Sequence, residues 1–419
     1  MIAAHSGDSP LWLLGAIVAL VWGGAPWWGF GGRVLAEGRW LADRWGRNPQ
    51  GEWGADVLTR LSAAAESEET AREISEAVAN AIGEALQDIA VRHGIDLRRV
   101  AWITVVGNTA MLALFTGRGY SLLLRPENWT EFIDYQPVDS SPWIERWAVH
   151  PRAGIEVVEP LAGFVGSDLL AGIVATGLTE GAAPALFVDV GTNSEVALWD
   201  GRTLHVTAAA GGPAFESSGD FGMPAEPGAV YRVSSSQGRL VFHILGDDRA
   251  KGVCGSGLVD LIARLLEANI LVDTGNFVRR RAYAFSVAGQ EMVLTKSDVD
   301  AFQRAKAAIA VGTLALCREA GVGPRDLQRI CVAGTFGRYL DVTSAEKVGL
   351  LPAIPPERVE VAGNTALAGC ADLMLSSEAA DRLLRLRKLT RLINLSHYSA
   401  FDDLFLENLY LGPMGESRT

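Results

Sequence analysis

Apolar side chains recur at helical spacing in two long segments of the chain. In residues 67–93 they return every third or fourth position, and Gly94 follows as a helix stop. Residues 297–320 show the same period, and either Thr295 or Ser297 stands near the start with an acid three residues later, the spacing of a capping box. These patterns predict two long amphipathic helices.

Short runs of mostly apolar residues predict buried strands. They span residues 100–106, 186–190, 329–333 and 359–362, and a glycine directly follows each of them. A strand that ends in glycine lets the backbone turn sharply, which is typical of the junction between a strand and a helix or hairpin in an α/β fold.

The sequence Gly-Asn-Thr-Ala follows two of these strands, at 107–110 and at 363–366, and a helix rich in small residues continues from each. The repeated strand–GNTA–helix unit predicts a duplicated α/β fold. Asn and Thr after a glycine also suit an ordinary helix N-cap, so two unrelated capped helices stay open as an alternative.

From Pro10 to Gly32 the chain carries no charged residue. A run of this length is a candidate membrane segment. Its second half, residues 23–32, is rich in glycine and makes a poor helix. A buried hairpin is therefore favoured over a membrane segment or a disordered start.

The composition is that of a globular protein with more than one domain. The chain has 419 residues, of which 49% are hydrophobic and 21% charged. The formal net charge of −12 disfavours nucleic acid and anionic membranes as partners, because like charges repel. A small anion would need a local set of hydrogen-bond donors.

The four cysteines, Cys254, Cys317, Cys331 and Cys370, are scattered along the chain. They show no metal or cluster spacing, and scattered cysteines are typical of a reducing cytoplasm. Cys254 lies in a Gly-Val-Cys-Gly-Ser-Gly turn. There it is either a thiol of lowered pKa at a helix start or, the favoured interpretation, a packed structural thiol.

The segment 186–198 predicts a strand, a tight turn and a second strand. Asp189 stands at the end of the first strand, and Gly191, Thr192 and Asn193 form the turn. Backbone N–H groups of such a turn can face a phosphate, and the carboxylate can hold a metal ion through water. An ordinary hairpin is the alternative from these residues alone.

Downstream, residues 334–337 form a second predicted turn, Gly-Thr-Phe-Gly. The backbone of such a turn often approaches a nucleoside closely.

The order of these motifs is that of the actin-like ATPase superfamily. Within it, residues 33–411 resemble the C-terminal ATPase region of the reductive activators of corrinoid-dependent methyltransferases. The resemblance rests on motifs at 48–50, 54–60, 106–111, 163–168, 188–195, 212–216, 252–260, 332–337, 363–369 and 401–405.

The resemblance implies an α/β fold of the duplicated actin-like, sugar-kinase type, with two lobes and a nucleotide cleft between them. The lobes are expected at residues 1–180 and 181–419, the first with a degenerate phosphate loop. It also implies ATP and Mg²⁺ as cofactors and an ATP-driven reduction of a Co(II) corrinoid to Co(I).

The resemblance also assigns roles to individual residues. Asp189 is expected to be catalytic and to bind Mg²⁺. Glu216 and Asp56 are candidate acids that position water or metal, with a structural salt bridge as the alternative for each. The expected nucleotide-binding residues are Gly191, Thr192 and Asn193 on the phosphates, Gly334, Thr335 and Gly337 around adenosine, and in addition Gly212.

The chain departs from the family's pattern in two ways. The family usually carries its iron–sulfur cluster on an N-terminal ferredoxin-like domain, which the sequence does not show, so no cluster is expected on this chain. The expected partners are therefore a corrinoid protein or methyltransferase and a separate ferredoxin-like electron donor. A homodimer is left open as the oligomeric state. The first phosphate loop, expected near 18–29, has no carboxylate, which puts ATP hydrolysis in doubt. A small-molecule kinase and a non-hydrolysing nucleotide-binding protein are the competing hypotheses.

Overall fold

Two sheets of the same topology organise the chain. The structure, a computed structural model, describes residues 14–20, 30–36, 39–46, 48–54, 56–129, 131, 133–191, 193–215, 221–246 and 249–415. The chain divides into a first unit, Met1–Gly177 with Thr365–Lys388, and a second unit, Leu178–Asn364 with Leu389–Thr419.

Strands and helices are numbered here in chain order. Up to residue 177 they are β1 Leu14–Leu20, β2 Phe30–Ala36, β3 Arg39–Gly46, α1 Val57–Glu66, α2 Glu68–His93, β4 Val100–Gly107, α3 Thr109–Thr116, α4 Tyr120–Leu123, α5 Ser141–Trp147, β5 Gly154–Val157 and α6 Ser167–Thr176. From residue 178 to 364 they are β6 Ala185–Asp189, β7 Asn193–Trp199, β8 Leu204–Ala210, β9 Ala229–Ser236, β10 Arg239–Ile244, β11 Gly252–Val253, α7 Gly255–Glu267, β12 Ala282–Val287, β13 Gln290–Thr295, α8 Lys296–Ala320, β14 Arg329–Ala333, α9 Gly334–Gly337, α10 Val342–Lys347 and β15 Val359–Gly363. The remaining elements are α11 Thr365–Leu375, α12 Ser377–Leu389, β16 Thr390–Leu392 and α13 Phe401–Leu409.

The sheet of the first unit runs in the order β3-β2-β1-β4-β5. Its first three strands are antiparallel, whereas β4 and β5 are parallel to β1. The sheet of the second unit repeats this arrangement as β8-β7-β6-β14-β15, with β16 added beside β8. The directions are also the same, because β6, β7 and β8 are antiparallel while β14 and β15 are parallel to β6. The predicted duplication is therefore confirmed.

The uncharged N-terminal segment contributes a hairpin to the first sheet. Strands β1 and β2 pair antiparallel, from Leu14 opposite Ala36 to Ala19 opposite Gly31. The hairpin prediction is confirmed for these strands, whereas residues 21–29, where most of the degenerate phosphate loop was expected, lie outside the described residues. Within the described residues, none of the helices combines the length and the apolar character needed to cross a membrane.

The two GNTA segments do not occupy equivalent places in the two units, so the reason for predicting the duplication was wrong. The first segment follows β4, whose counterpart in the second unit is β14, and the second follows β15, whose counterpart is β5. The first is explained by local capping, because the Asn108 side chain accepts a hydrogen bond from the Ala110 N–H at 3.1 Å.

Helices α6 and α11 cross at very close range in the first unit. A Cβ atom on Gly369 would lie 1.8 Å from the carbonyl oxygen of Ala171. A glycine is therefore required where the two helices meet. This crossing joins Thr365–Lys388 to the first unit, although strand β15, which leads into α11, belongs to the second.

Both long helices begin and end where the sequence pattern places them. Ser67 caps α2 by accepting a hydrogen bond from the Thr70 N–H at 3.0 Å, and Gly94 ends it in the left-handed region at φ 65°. At α8 the structure selects Thr295, which forms a reciprocal capping box with Asp298.

Each unit buries its own hydrophobic core. In the first unit, α2 packs against β3, α3 and α5, and the core includes Ile74, Ile82 and Val105. In the second, β6 lies with α7 and α8 around a core that includes Ile262 and Phe302. These cores hold the carboxyl ends of the parallel strands in fixed positions, which is where ligands bind in open α/β sheets.

Candidate functional site

Asp189 is the last residue of β6, at the carboxyl end of that strand. It is partly buried, and Ala333 of β14 lies beside it in the parallel ladder. Burial raises the pKa of Asp189 to about 6, because a low-dielectric surrounding disfavours the charged carboxylate. A bound cation would favour the ionised form, so the position suits a carboxylate that works beside a metal ion.

The turn after Asp189 is closed by a serine to which the sequence reasoning gave no role. The Gly191 N–H donates to Ser194 Oγ at 3.3 Å, and the Ser194 hydroxyl donates back to the Gly191 carbonyl at 3.0 Å. Ser194 is buried, so this contact fixes the two ends of the turn. Thr192 lies outside the described residues, as does the Asn193 side chain.

A second carboxylate stands directly across the hairpin from Asp189. Glu195 pairs with Asp189 in the antiparallel ladder and is 4% exposed. Residues opposite each other in such a ladder lie on the same face of the sheet. The sequence reasoning missed Glu195 as a site residue, although the period of two along β7 would have placed it on the face of Asp189.

The predicted nucleoside turn meets the phosphate hairpin at Gly334. This residue follows β14 with φ +84°, and a Cβ atom on it would lie 2.6 Å from Asp189 Oδ1. Only glycine satisfies both the backbone angle and this contact. Gly337 is also confined, since a Cβ there would lie 2.8 Å from the Val332 carbonyl. The side chain of Thr335 lies outside the described residues.

Two further motifs converge on the Gly-Thr-Phe-Gly turn. The rings of Phe215 and Phe336 pack with centroids 5.2 Å apart. A Cβ atom on Gly255, the first residue of α7, would lie 2.7 Å from the Phe336 ring and 2.4 Å from the Phe215 carbonyl. Gly212 stands before this aromatic contact at φ +72°, with open space where its side chain would be.

Cys254 caps the start of α7 but is not an activated thiol. Its sulfur lies 3.3 Å from Ser256 Oγ, and burial raises its pKa. The packed structural thiol favoured from the sequence is therefore confirmed.

Of the two acids predicted to position water or metal, the structure describes Asp56 only. Asp56 belongs to the first unit and caps α1, where it accepts hydrogen bonds from the Thr59 hydroxyl at 2.6 Å and the Thr59 N–H at 2.9 Å. These bonds lower its pKa. Glu216 lies outside the described residues. The roles of both acids in positioning water or metal stay predictions.

The site offers few direct metal ligands. Over the part of the chain that the structure describes, no group of three or more His, Cys, Asp or Glu side chains could hold a metal ion. Mg²⁺ commonly keeps several waters and takes one or two carboxylates plus phosphate oxygens. The carboxylates of Asp189 and Glu195 fit that mode of binding.

Comparison with known proteins agrees with this geometry. Residues 183–418 match the C-terminal domain of RACo, the ASKHA domain, and residues 34–181 match the RACo middle region. The chain is 29% identical over 394 residues to the corrinoid activation enzyme RamQ of Eubacterium limosum, which covers 87% of this chain and 65% of that protein. It is 26% identical over 366 residues to the Co(II) methylated amine-specific corrinoid protein reductase of Methanosarcina barkeri, covering 80% of this chain and 66% of that protein.

A solved structure shares the fold over nearly the whole chain. The reductive activator for corrinoid, iron-sulfur protein superposes with a TM-score of 0.80 at 27% identity, covering 97% of this chain and 67% of that one. The predicted α/β fold of the actin-like class is therefore confirmed. The chain spans slightly less than two thirds of the length of the two curated relatives.

Proposed function

Because the chain belongs to the RACo family, with the ASKHA domain and the middle region, we propose that it is the ATP-binding component of a reductive activator. It drives the reduction of a Co(II) corrinoid to Co(I) on a partner corrinoid protein. The observation that carries the proposal is the contact between Asp189 and Gly334, which joins the phosphate hairpin to the nucleoside turn at neighbouring parallel strands.

The nucleotide is held by backbone groups from several motifs. We assign Gly191, Thr192 and Asn193 to the phosphates, since a turn of successive N–H groups forms an anion-binding concavity. The backbone of Gly212 is open to a ligand, because no atom lies within 4 Å of the position that its Cβ would occupy. The adenosine lies along the turn that contains Gly334, Thr335 and Gly337, where the lack of side chains at both glycines allows close approach.

Asp189 and Glu195 would hold Mg²⁺, and the chemistry that the ion would supply is neutralisation of phosphate charge. The fit rests on the raised pKa of Asp189 and on the space beside its Oδ1, which a side chain at residue 334 would fill. Glu216 and Asp56 are the further acids proposed to orient water for hydrolysis.

The proposed reaction transfers one electron and is coupled to ATP. A reduced iron–sulfur donor outside these 419 residues loses one electron, and the Co(II) centre gains it and becomes Co(I). ATP and water become ADP and phosphate, and binding energy from the nucleotide makes the unfavourable transfer proceed. The chain therefore needs two partners, a corrinoid protein and an electron donor such as a ferredoxin-like protein.

The proposal is tested by following cobalt absorbance in a mixture of the chain, a corrinoid protein, a low-potential reductant and Mg·ATP. We expect Co(I) to appear only with ATP, and Asp189→Ala to abolish it. The matched control is Asp381→Ala, the same change at an exposed position of α12, which should retain the activity.

Three results would contradict the proposal in different ways. ATP binding without hydrolysis or Co(I) would favour a nucleotide-binding protein that does not turn over. ADP release that depends on an added small acceptor would favour a kinase. Co(I) formation that Asp189→Ala leaves intact would remove the hairpin from the nucleotide site.

A further inference from the structure

Three consecutive arginines form an exposed basic segment on the second unit. Arg279, Arg280 and Arg281 are all exposed, in a chain whose net charge is −12. Across the described ranges, none of the three guanidinium groups has an ion pair or hydrogen bond to a carboxylate. Three unpaired like charges side by side repel one another, so the arrangement contributes nothing to folding and is suited to an external anion.

The arginine segment is held between two anchored pieces of backbone. Before it, the Val278 N–H donates to the Ile270 carbonyl at 3.0 Å, and Leu271 forms an isolated bridge with Phe277. After it, β12 begins at Ala282 and pairs along its whole length with β13. Because both ends are fixed, little backbone entropy is lost when a partner binds.

Exposed valines belong to the same region of the chain. Val278 is 51% exposed, Val293 on β13 is 46% exposed, and Val272 is 38% exposed. Protein interfaces are enriched in arginine and combine it with apolar contacts, whereas a site for a free ion needs no apolar surface. Val272 and Val278 lie in one short hairpin that leads directly into Arg279–Arg281, and this surface therefore has the composition of a protein-docking surface.

From this surface we infer a docking site for a protein partner that presents clustered carboxylates. The inference rests on the proposed function, which requires two protein partners, and it names the chemistry by which one of them binds. Extended polyanions such as duplex DNA or an anionic membrane would also face the rest of this acidic chain and be repelled by it. A compact acidic patch would meet only the arginines.

The test compares Arg279→Gln/Arg280→Gln/Arg281→Gln with the unmodified chain. One arm measures binding of labelled poly-L-glutamate by fluorescence anisotropy, and a second measures binding of the corrinoid protein used in the reduction assay and of a ferredoxin-type donor. We expect the triple variant to weaken binding of poly-L-glutamate and of one partner about eightfold, at roughly twofold per exposed ion pair. Raising the salt from about 0.01 M to about 0.15 M shortens the Debye length from roughly 30 Å to 8 Å and should weaken binding to the unmodified chain more than to the variant.

The control variant carries the same loss of charge at three scattered, exposed arginines, Arg152, Arg202 and Arg239, each changed to Gln. It should bind poly-L-glutamate nearly as the unmodified chain does. Equal weakening by both triple variants, or none by the first, would overturn the inference. Binding of phosphatidylserine vesicles, duplex DNA or inorganic triphosphate in place of poly-L-glutamate would also overturn it. Because the poly-L-glutamate arm needs no cobalt chemistry, failure of Co(II) reduction alone would leave the docking surface intact.

Discussion

Replacing Gly334 with alanine tests whether the contact between the two nucleotide motifs is essential for binding. The new Cβ atom would stand 2.6 Å from Asp189 Oδ1, whereas ordinary van der Waals contact begins at 3.4 Å. The carboxylate or the turn must therefore move by 3.4 − 2.6 Å, about 0.8 Å. Alanine at φ +84° also adds backbone strain of roughly 1–2 kcal/mol.

The displacement is large compared with what metal binding tolerates. Metal–ligand distances hold to within about 0.2 Å, so Asp189 would no longer have the geometry needed for its proposed role at Mg²⁺. A hydrogen bond to a charged group contributes about 1.5–3 kcal/mol. Since each 1.4 kcal/mol is tenfold, we expect Gly334→Ala to weaken Mg·ATP binding between about tenfold and a hundredfold.

The assay is isothermal calorimetry with Mg·ATP, accompanied by thermal unfolding. Gly321→Ala is the matched control, because Gly321 ends α8 at φ +66° and has no atom within 4 Å of the added Cβ. The control should lose roughly 1–2 kcal/mol of stability and keep the affinity of the unmodified chain. If Gly334→Ala binds Mg·ATP as tightly as the control does, the reasoning about the site is refuted.

Two further predictions concern charge and packing. Asp189 has a pKa raised to about 6 by burial, so its contribution to stability is full below its unfolded pKa of about 4 and is lost as the pH rises through 6. Without nucleotide, Asp189→Asn should therefore be more stable than the unmodified chain at neutral pH, and the difference should vanish below about pH 4; a difference independent of pH in denaturant titrations would contradict this. Gly369→Ala should force α6 and α11 apart, because its Cβ would lie 1.8 Å from the Ala171 carbonyl. This overpacking should lower the free energy of unfolding by about 1–3 kcal/mol. Ala368→Ser, on the exposed side of α11, should be nearly neutral in the same thermal unfolding measurement, and equal losses in the two variants would argue against the crossing.

Local pattern alone was enough to predict the long helices, the buried strands and the hairpin that carries Asp189, but not that some of the strands run parallel. The period of apolar residues and the caps at Ser67 and Gly94 depend only on residues that are close together in the sequence. They can therefore be predicted without knowledge of the tertiary structure. The same is true of the motif order that identified the ATPase family.

The tertiary structure decided which of these local features meet. The contact of Gly334 with Asp189, the position of Glu195 across the ladder and the crossing at Gly369 depend on strand register and helix packing, which join residues far apart in the chain. For the same reason the two GNTA segments, alike in sequence, occupy different places in the two units. A short motif reflects only the local backbone conformation and capping that a strand–helix junction needs. Its place in the fold is set by how the strands of the whole sheet pair.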